Sequence, residues 1–134
     1  MVIHSTFPYK GVGALIFNSG RMNLENTQVQ MRKGILEYCI LHIISRGEVY
    51  ASDMLDELTA ARMIVVEGTL YPLLTRLKNA GLVEYKWVES KSGPPRKYYK
   101  LTETGAQFLK GLTDTWEDLV NSTDQITQKS KASV

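Results

Sequence analysis

The chain has 134 residues, a formal net charge of +2 and one cysteine. This length accommodates one ordinary domain with a single modest core, and a lone cysteine excludes an intrachain disulfide, so a reducing cytoplasm is the expected location. No run approaches the roughly 20 apolar residues that a membrane-spanning helix needs, so no association with a membrane is expected.

The charges are distributed unevenly along the chain. Between Thr69 and Lys100 there are seven basic and two acidic residues, a surplus of five positive charges. From Leu101 to Gln128 the balance reverses, with one basic residue against five acidic ones. The first segment would therefore attract phosphate groups, whereas the second would repel them.

The N-terminal part divides into an extension and two helices. Residues 1–21 show no convincing period and are expected to lie outside the folded domain. The first predicted helix spans Glu25 to Ser45, and its second half is apolar nearly all round, so we expect it to be covered both by its own core and by a second subunit. Its candidate dimer-interface residues are Ile35, Cys39 and Ile43. We interpret Cys39 as a small buried apolar residue rather than a redox sensor.

A second helix is predicted from about Ser52 to Arg62, with an apolar face and early acidic residues that suit the helix dipole. The link that follows it, Met63-Ile64-Val65-Val66, is short, apolar and mostly β-branched. It is expected to form either a packed turn or a strand that pairs with the hairpin described below.

The third predicted helix starts near Glu67 to Thr69 and stops at Gly81. Pro72 is compatible with its first turn, where the backbone amides have no helical acceptor. Four leucines at helical spacing form its buried stripe. The residues on its other faces can reach phosphate oxygens or base edges, or can form a merely solvated surface; these DNA-contact candidates are Thr69, Tyr71, Thr75, Arg76, Lys78 and Asn79.

A two-stranded hairpin is predicted next, with strands from Leu82 to Glu89 and from Arg96 to Leu101. Apolar and polar residues alternate along both strands, as expected for a half-buried pair. Ser90 to Pro95 are expected to form the tip, in which Gly93-Pro94-Pro95 makes a stiff turn. This turn would hold three further DNA-contact candidates, Lys91, Arg96 and Lys97. The alternative is a charged sheet edge that only resists aggregation.

The last predicted helix begins after Thr102, which is placed to cap it. Apolar residues then recur at spacings of three and four for nearly three heptads, which is typical of a seam between helices. The seam residues assigned to the dimer interface are Leu109, Leu112, Trp116, Leu119 and Ile126. The polar tail from Gln128 to Val134 is expected to fray.

These elements predict a mainly α fold with a small β-hairpin. We assign residues 28–101 to a winged helix-turn-helix domain and residues 102–128 to a C-terminal dimerisation helix. In a winged helix-turn-helix, one helix enters the DNA major groove and the hairpin, or wing, grips the backbone beside it.

Three motifs in this order resemble the PadR family of bacterial transcriptional regulators. They are Gly68-Thr69-Leu70-Tyr71-Pro72-Leu73-Leu74 with Arg76-Leu77, then Gly81-Leu82-Val83, and then Gly93-Pro94-Pro95-Arg96-Lys97-Tyr98-Tyr99-Lys100-Leu101-Thr102-Glu103-Thr104-Gly105. The short last helix looks like the smaller subfamily. The resemblance implies a homodimeric regulator, most simply a repressor, whose third helix and wing bind a pseudo-palindromic operator in double-stranded DNA.

The resemblance also implies a candidate effector site. Some similar regulators bind flat aromatic compounds at the dimer centre, beside a tryptophan of the last helix, and Trp116 stands at the matching place. Trp116 therefore either helps to bind a small planar aromatic effector or simply packs the dimer interface.

An enzyme is not expected, because the sequence has no paired-cysteine metal spacing, no phosphate-cradling glycine loop and no nucleophile elbow. Accordingly no catalytic residue, metal site or cofactor is predicted. Two hypotheses remain, a DNA-binding transcriptional regulator and a winged helix that serves protein interaction or assembly without binding DNA directly. The charge asymmetry between the wing and the last helix favours the regulator.

Overall fold

The structure is a computed structural model and describes residues 22–132. Within that range it contains four α-helices and three β-strands. In chain order they are α1 Leu24–Ser45, β1 Val49–Tyr50, α2 Ala51–Ala60, α3 Glu67–Asn79, β2 Val83–Ser90, β3 Gly93–Leu101 and α4 Glu103–Ala132. The predicted extension, residues 1–21, lies outside the described residues.

The chain divides into two compact units, residues 1–36 and residues 37–134. The described part of the first unit consists of Met22, Asn23 and the beginning of α1. The side-chain oxygen of Asn23 accepts a hydrogen bond from the backbone amide of Asn26 at 3.1 Å. This contact satisfies one of the amides that the first helical turn leaves without a helical acceptor.

The core of the second unit is made by α1, α2, α3 and the sheet, with Leu109 of α4 also buried. Its most deeply buried side chains are apolar: Ile40, Leu41 and Ile44 of α1, Met54 of α2, Leu70 and Leu74 of α3, and Val83 of β2. The leucine stripe predicted for α3 is confirmed, with Leu77 also buried and Leu73 half-buried. Helix α3 packs against α2 and β2, and its residues Thr75, Arg76, Lys78 and Asn79, which lie outside the stripe, are exposed.

The sheet has three strands rather than the expected two. Its order is β1-β3-β2, with both pairs antiparallel, and Val49 and Tyr50 lie opposite Tyr99 and Tyr98. Of the two expectations for residues 63–66, the strand was wrong. No strand forms there, and β1 pairs with the hairpin instead. The link is not fully packed either, since the side chain of Ile64 is 75% exposed.

The hairpin tip was also predicted incorrectly. Lys91 and Ser92 form the turn, whereas Gly93, Pro94 and Pro95 already belong to β3. Val88 lies opposite Arg96 and Ser90 lies opposite Gly93, so the two prolines together oppose the single residue Glu89 in a bulge. A proline lacks the amide that a regular ladder needs, and a bulge is a place in a sheet where that loss is tolerated.

Helix α4 is capped as the sequence predicted. The hydroxyl oxygen of Thr102 accepts a hydrogen bond from the backbone amide of Gly105 at 2.9 Å. The helix continues to Ala132, so the expectation of a frayed tail from Gln128 was wrong for the described part of that tail. Across residues 22–132, no helix combines the length and the apolar character needed to cross a membrane.

Candidate nucleic-acid interface

Helix α3 presents a polar surface opposite its buried leucines. Thr75, Arg76, Lys78 and Asn79 are exposed, Thr69 is half-buried, and Tyr71 keeps 45% of its surface exposed. All six candidate residues of this helix are therefore outside the core. Their hydroxyl, amide and cationic groups are the types that contact phosphate oxygens and base edges.

Arg76 has a partner that sequence reasoning did not identify. Its guanidinium forms an ion pair with the carboxylate of Glu37 in α1. The side chain of Arg76 is nevertheless 62% exposed, so it remains accessible from solvent. The ion pair orients Arg76 and lowers the positive field that this residue projects.

The wing places its two adjacent cations on opposite faces of the sheet. The guanidinium carbon of Arg96 lies 5.1 Å from the ring centroid of Tyr50, whose ring is 3.6 Å from that of Tyr98. On the other face, the ammonium nitrogen of Lys97 lies 4.4 Å from the ring centroid of Tyr85. Successive strand residues point in opposite directions, so these two cations cannot contact the same group.

The remaining wing cations differ in how far their charge is neutralised. Lys86 forms an ion pair with Glu48 at 2.8 Å, and Lys100 lies 3.8 Å from a carboxylate oxygen of Glu84. Lys91 is exposed in the turn. The positive charge predicted for the whole segment is thus concentrated toward the wing turn and the end of α3.

Two tyrosines of β3 stay neutral beside this surface. A hydrogen bond with Tyr50 is the main reason that the pKa of Tyr98 is raised above its ordinary value. Burial raises the pKa of Tyr99. Neither phenol therefore adds a negative charge that would oppose a phosphate backbone at neutral pH.

The candidate dimer residues differ widely in exposure within the single chain. Ile43 and Leu109 are buried, and Ile35, Cys39 and Leu112 are half-buried. The exposed fractions are 38% for Trp116, 55% for Leu119 and 70% for Ile126. Among these candidates, the exposed apolar surface therefore lies mostly on α4 from Trp116 onward. Burial also raises the pKa of the Cys39 thiol, which disfavours the reactive thiolate.

Trp116 borders a small polar and aromatic cluster formed with α1. Its ring centroid is 6.2 Å from that of Tyr38, with the ring planes inclined by 37°. The Tyr38 hydroxyl donates a hydrogen bond to the hydroxyl oxygen of Thr113 at 3.2 Å, and the His42 ring meets Tyr38 edge-on at 4.6 Å. One side of the Trp116 indole is thus supported by Tyr38 of the same chain.

Helices α1, α2 and α3, the small sheet and the basic wing define a winged helix transcription regulator, and residues 40–111 match the PadR-like family of transcriptional regulators. The chain belongs to this family, as the sequence motifs predicted. It is 56% identical to a PadR-like transcription factor from Bacteroides fragilis, with a TM-score of 0.65 over 75% of this chain and 98% of the other. Members of the family are transcriptional regulators rather than enzymes.

Two further solved structures share the fold. A PadR-like transcriptional regulator from Bacillus cereus is 37% identical, with a TM-score of 0.67 over 74% of this chain and 97% of that one. PadR from Bacillus subtilis, solved in complex with operator DNA, is 23% identical, with a TM-score of 0.55 over 59% of this chain and 46% of that one. The last similarity concerns the fold alone.

Proposed function

We propose that this protein is a homodimeric repressor that binds a pseudo-palindromic DNA operator through α3 and the wing. The observation that carries this proposal is the solvent-exposed polar surface of α3 beside a wing with exposed cations. The family supports it, as does the sharing of its fold with a relative solved on operator DNA. The proposed site of action is the cytoplasm, where a bacterial regulator meets its DNA.

The proposed DNA contacts divide into two kinds. Lys91, Arg96 and Lys97 of the wing are proposed to contact phosphates, which position the protein without reading the sequence. Lys78, in the last turn of α3, is also proposed to contact a phosphate. The other candidate side chains of α3 are proposed to read base edges in the major groove; they are Thr69, Tyr71, Thr75, Arg76 and Asn79. Two copies of α3 would then meet two half-sites about 34–36 Å apart.

The dimer is proposed to form through α1 and α4. The exposed Leu119 and Ile126 continue the apolar seam along α4 beyond the part that its own protomer covers. A second copy of α4 would cover this seam and set the distance between the two copies of α3, the proposed recognition helix.

A small planar aromatic effector is proposed to release the protein from DNA. Trp116 leaves part of its indole exposed on the proposed dimer side, while Tyr38 supports it from within the protomer. Asp114, Glu117 and Asp118 lie near it in the sequence and would favour a cationic compound. The alternative is that Trp116 only packs against the partner subunit.

A DNA-binding assay at two salt concentrations tests the proposal against the protein-interaction alternative. The probe is the duplex upstream of the gene that encodes this protein, compared with an unrelated duplex of equal length. If a dimer neutralises about six phosphates, log affinity should fall against log salt with a slope of about −5. Equal affinity for both duplexes, or no binding at low salt, would favour the interaction module.

A further inference from the structure

The ring of Tyr85 has two lysine ammonium groups beside it, from two different elements. The nitrogen of Lys97, in β3, is 4.4 Å from the ring centroid, and the nitrogen of Lys78, in the last turn of α3, is 5.6 Å from it. Both distances fall within the roughly 6 Å over which a ring face attracts a cation. Tyr85 thus joins the end of α3 to the wing through two cationic side chains.

These two lysines differ from their neighbours in how their charge is compensated. Arg76, Lys86 and Lys100 each lie beside a carboxylate. Within residues 22–132, neither Lys78 nor Lys97 has a carboxylate within ion-pairing distance. An aromatic face attracts a cation but carries no net charge, so two positive charges remain beside the same ring without a carboxylate counterion.

Trp87 supports Lys97 from another direction. The Lys97 nitrogen is 5.2 Å from the ring centroid of Trp87, and the Trp87 and Tyr85 rings meet nearly at right angles at 6.2 Å. The indole is 62% exposed, so it flanks the lysine without closing the site. Lys78 is exposed and Lys97 is half-buried, so an anion can reach both lysines from solvent.

We propose that Tyr85 is a positioning residue that gathers Lys78 and Lys97 into one binding site for a phosphodiester group of the DNA backbone. This inference rests on the proposed DNA-binding function and adds a shared site to it. Two lysines that already lie against a ring lose less side-chain freedom when they bind an anion than two free lysines would. One bound phosphate would also fix the recognition helix and the wing relative to each other on the duplex.

Tyr85 itself provides the first test, because its replacement leaves every charge in place. The responsive duplex is the DNA that the wild type binds in the assay above. Tyr85→Phe keeps the ring and is expected to bind this duplex within about twofold of the wild type. Tyr85→Leu removes the ring, and its affinity is expected to fall about three- to tenfold. Thermal unfolding and light scattering verify that each variant remains folded with the wild-type oligomeric state. Equal binding by a folded Tyr85→Leu variant would overturn the proposal.

The two lysines provide a second test that does not depend on the stability of the Tyr85 variants. Lys78→Met and Lys97→Met, separately and together, are compared with Lys86→Met, which removes a lysine already paired with Glu48 on the opposite face of the sheet. If the lysines share a phosphate, each single change and the double change should reduce the magnitude of the salt slope by the same amount, about one per half-site. Lys86→Met should change it less.

The losses of affinity complete this comparison. A shared site predicts that the double variant loses much less than the product of the two single losses, because either change already disables the site. Losses that multiply would show that the lysines contact separate phosphates and would overturn the shared site.

A modified duplex locates the phosphate directly. Single backbone phosphates of the responsive duplex are replaced in turn by neutral methylphosphonates. At one position per half-site, the wild type should lose affinity while Lys78→Met and Lys97→Met should both be nearly indifferent. Different positions for the two lysines would overturn the inference. Failure of the wild-type protein to bind any duplex would instead contradict the proposed function, so the two failures are distinguishable.

Discussion

Arg76 in α3 is ion-paired with Glu37 in α1, so a candidate DNA-contacting side chain is held by a helix outside the proposed interface. The Glu37 side chain is 29% exposed, whereas that of Arg76 is 62% exposed. An ion pair this close to solvent contributes little to stability, about 0–1 kcal/mol. The ion pair has a larger effect on the orientation and the effective charge of Arg76, because it limits how freely the guanidinium can contact a nearby phosphate.

Removing that carboxylate should make DNA binding less selective. We expect Glu37→Gln to raise affinity for an unrelated duplex about three- to tenfold at low salt, since it releases one exposed cation per protomer. Fluorescence anisotropy with the responsive and the unrelated duplex measures the ratio of the two affinities. Glu57→Gln is the matched control, because Glu57 is likewise paired with an arginine, Arg46, at 2.5 Å. Equal increases for both variants would mean that only total charge matters.

Changes in the wing and in α3 should have different consequences for binding. Lys91→Ala in the wing turn is expected to weaken responsive and unrelated duplexes by the same factor, because it removes a phosphate contact. Asn79→Ala should instead reduce discrimination, by about 1–3 kcal/mol if its amide makes a good bidentate base contact, and Thr75→Ala should reduce it by less because a hydroxyl makes a single contact. Competition binding against a set of single-base operator variants makes the comparison. The same loss of discrimination from Lys91→Ala would contradict this division.

Gly105 is predicted to be essential for the close packing of the start of α4 against the backbone of Leu82. A Cβ atom added to it would lie 2.0 Å from the backbone oxygen of Leu82, which also accepts a hydrogen bond from the Thr102 amide at 3.1 Å. Because backbone cannot yield as a flexible side chain does, Gly105→Ala should destabilise the fold by about 1–3 kcal/mol. Urea unfolding measures this change.

Gly111 supplies the control for that experiment. It lies in the same helix, and an added Cβ meets nothing within 4 Å. Alanine is favoured over glycine in a helix interior by about 0.8–1 kcal/mol, so Gly111→Ala should leave stability unchanged or raise it. Similar destabilisation by both alanines would refute the close contact as the cause.

The proposed dimer should depend on the exposed part of the α4 seam. Leu119 is 55% exposed in the single chain, so Leu119→Glu should prevent association without unfolding the protomer, whereas a charge at the buried Leu109 should unfold it. Light scattering and circular dichroism separate the two outcomes. Asn121→Glu adds the same charge away from the seam and should remain dimeric. A wild-type protein that is monomeric at tens of micromolar would contradict the proposed dimer.

The proposed effector site can be followed through Trp116 fluorescence once the second tryptophan is removed. In a Trp87→Phe protein, titration with a planar cationic dye should quench the remaining signal, with each aromatic stack contributing roughly 0.5–1.5 kcal/mol beyond area burial. Calorimetry on a dimeric Trp116→Ala variant should show weaker binding. Unchanged affinity in that variant, or no quenching in the first, would leave Trp116 as interface packing alone.

The local elements were predictable because their signals lie within short stretches of sequence. The leucine spacing of α3, the alternation around Val83 and Tyr85, and the capping position of Thr102 each express a backbone period or a terminal hydrogen bond. The family motifs reinforced these patterns. The winged helix fold and the surface composition of α3 could therefore be stated from sequence.

Only the tertiary structure decided which distant residues meet. Strand β1 has two residues, too few to show a period, and it forms because Val49 and Tyr50 find partners in β3. The prolines of β3 looked like a turn because their tolerance in a strand depends on the bulge opposite Glu89. The ion pair of Arg76 with Glu37 and the position of two lysines around Tyr85 likewise depend on how separate elements pack. Composition specifies which charges are present, but folding determines which are neutralised and which remain available to DNA.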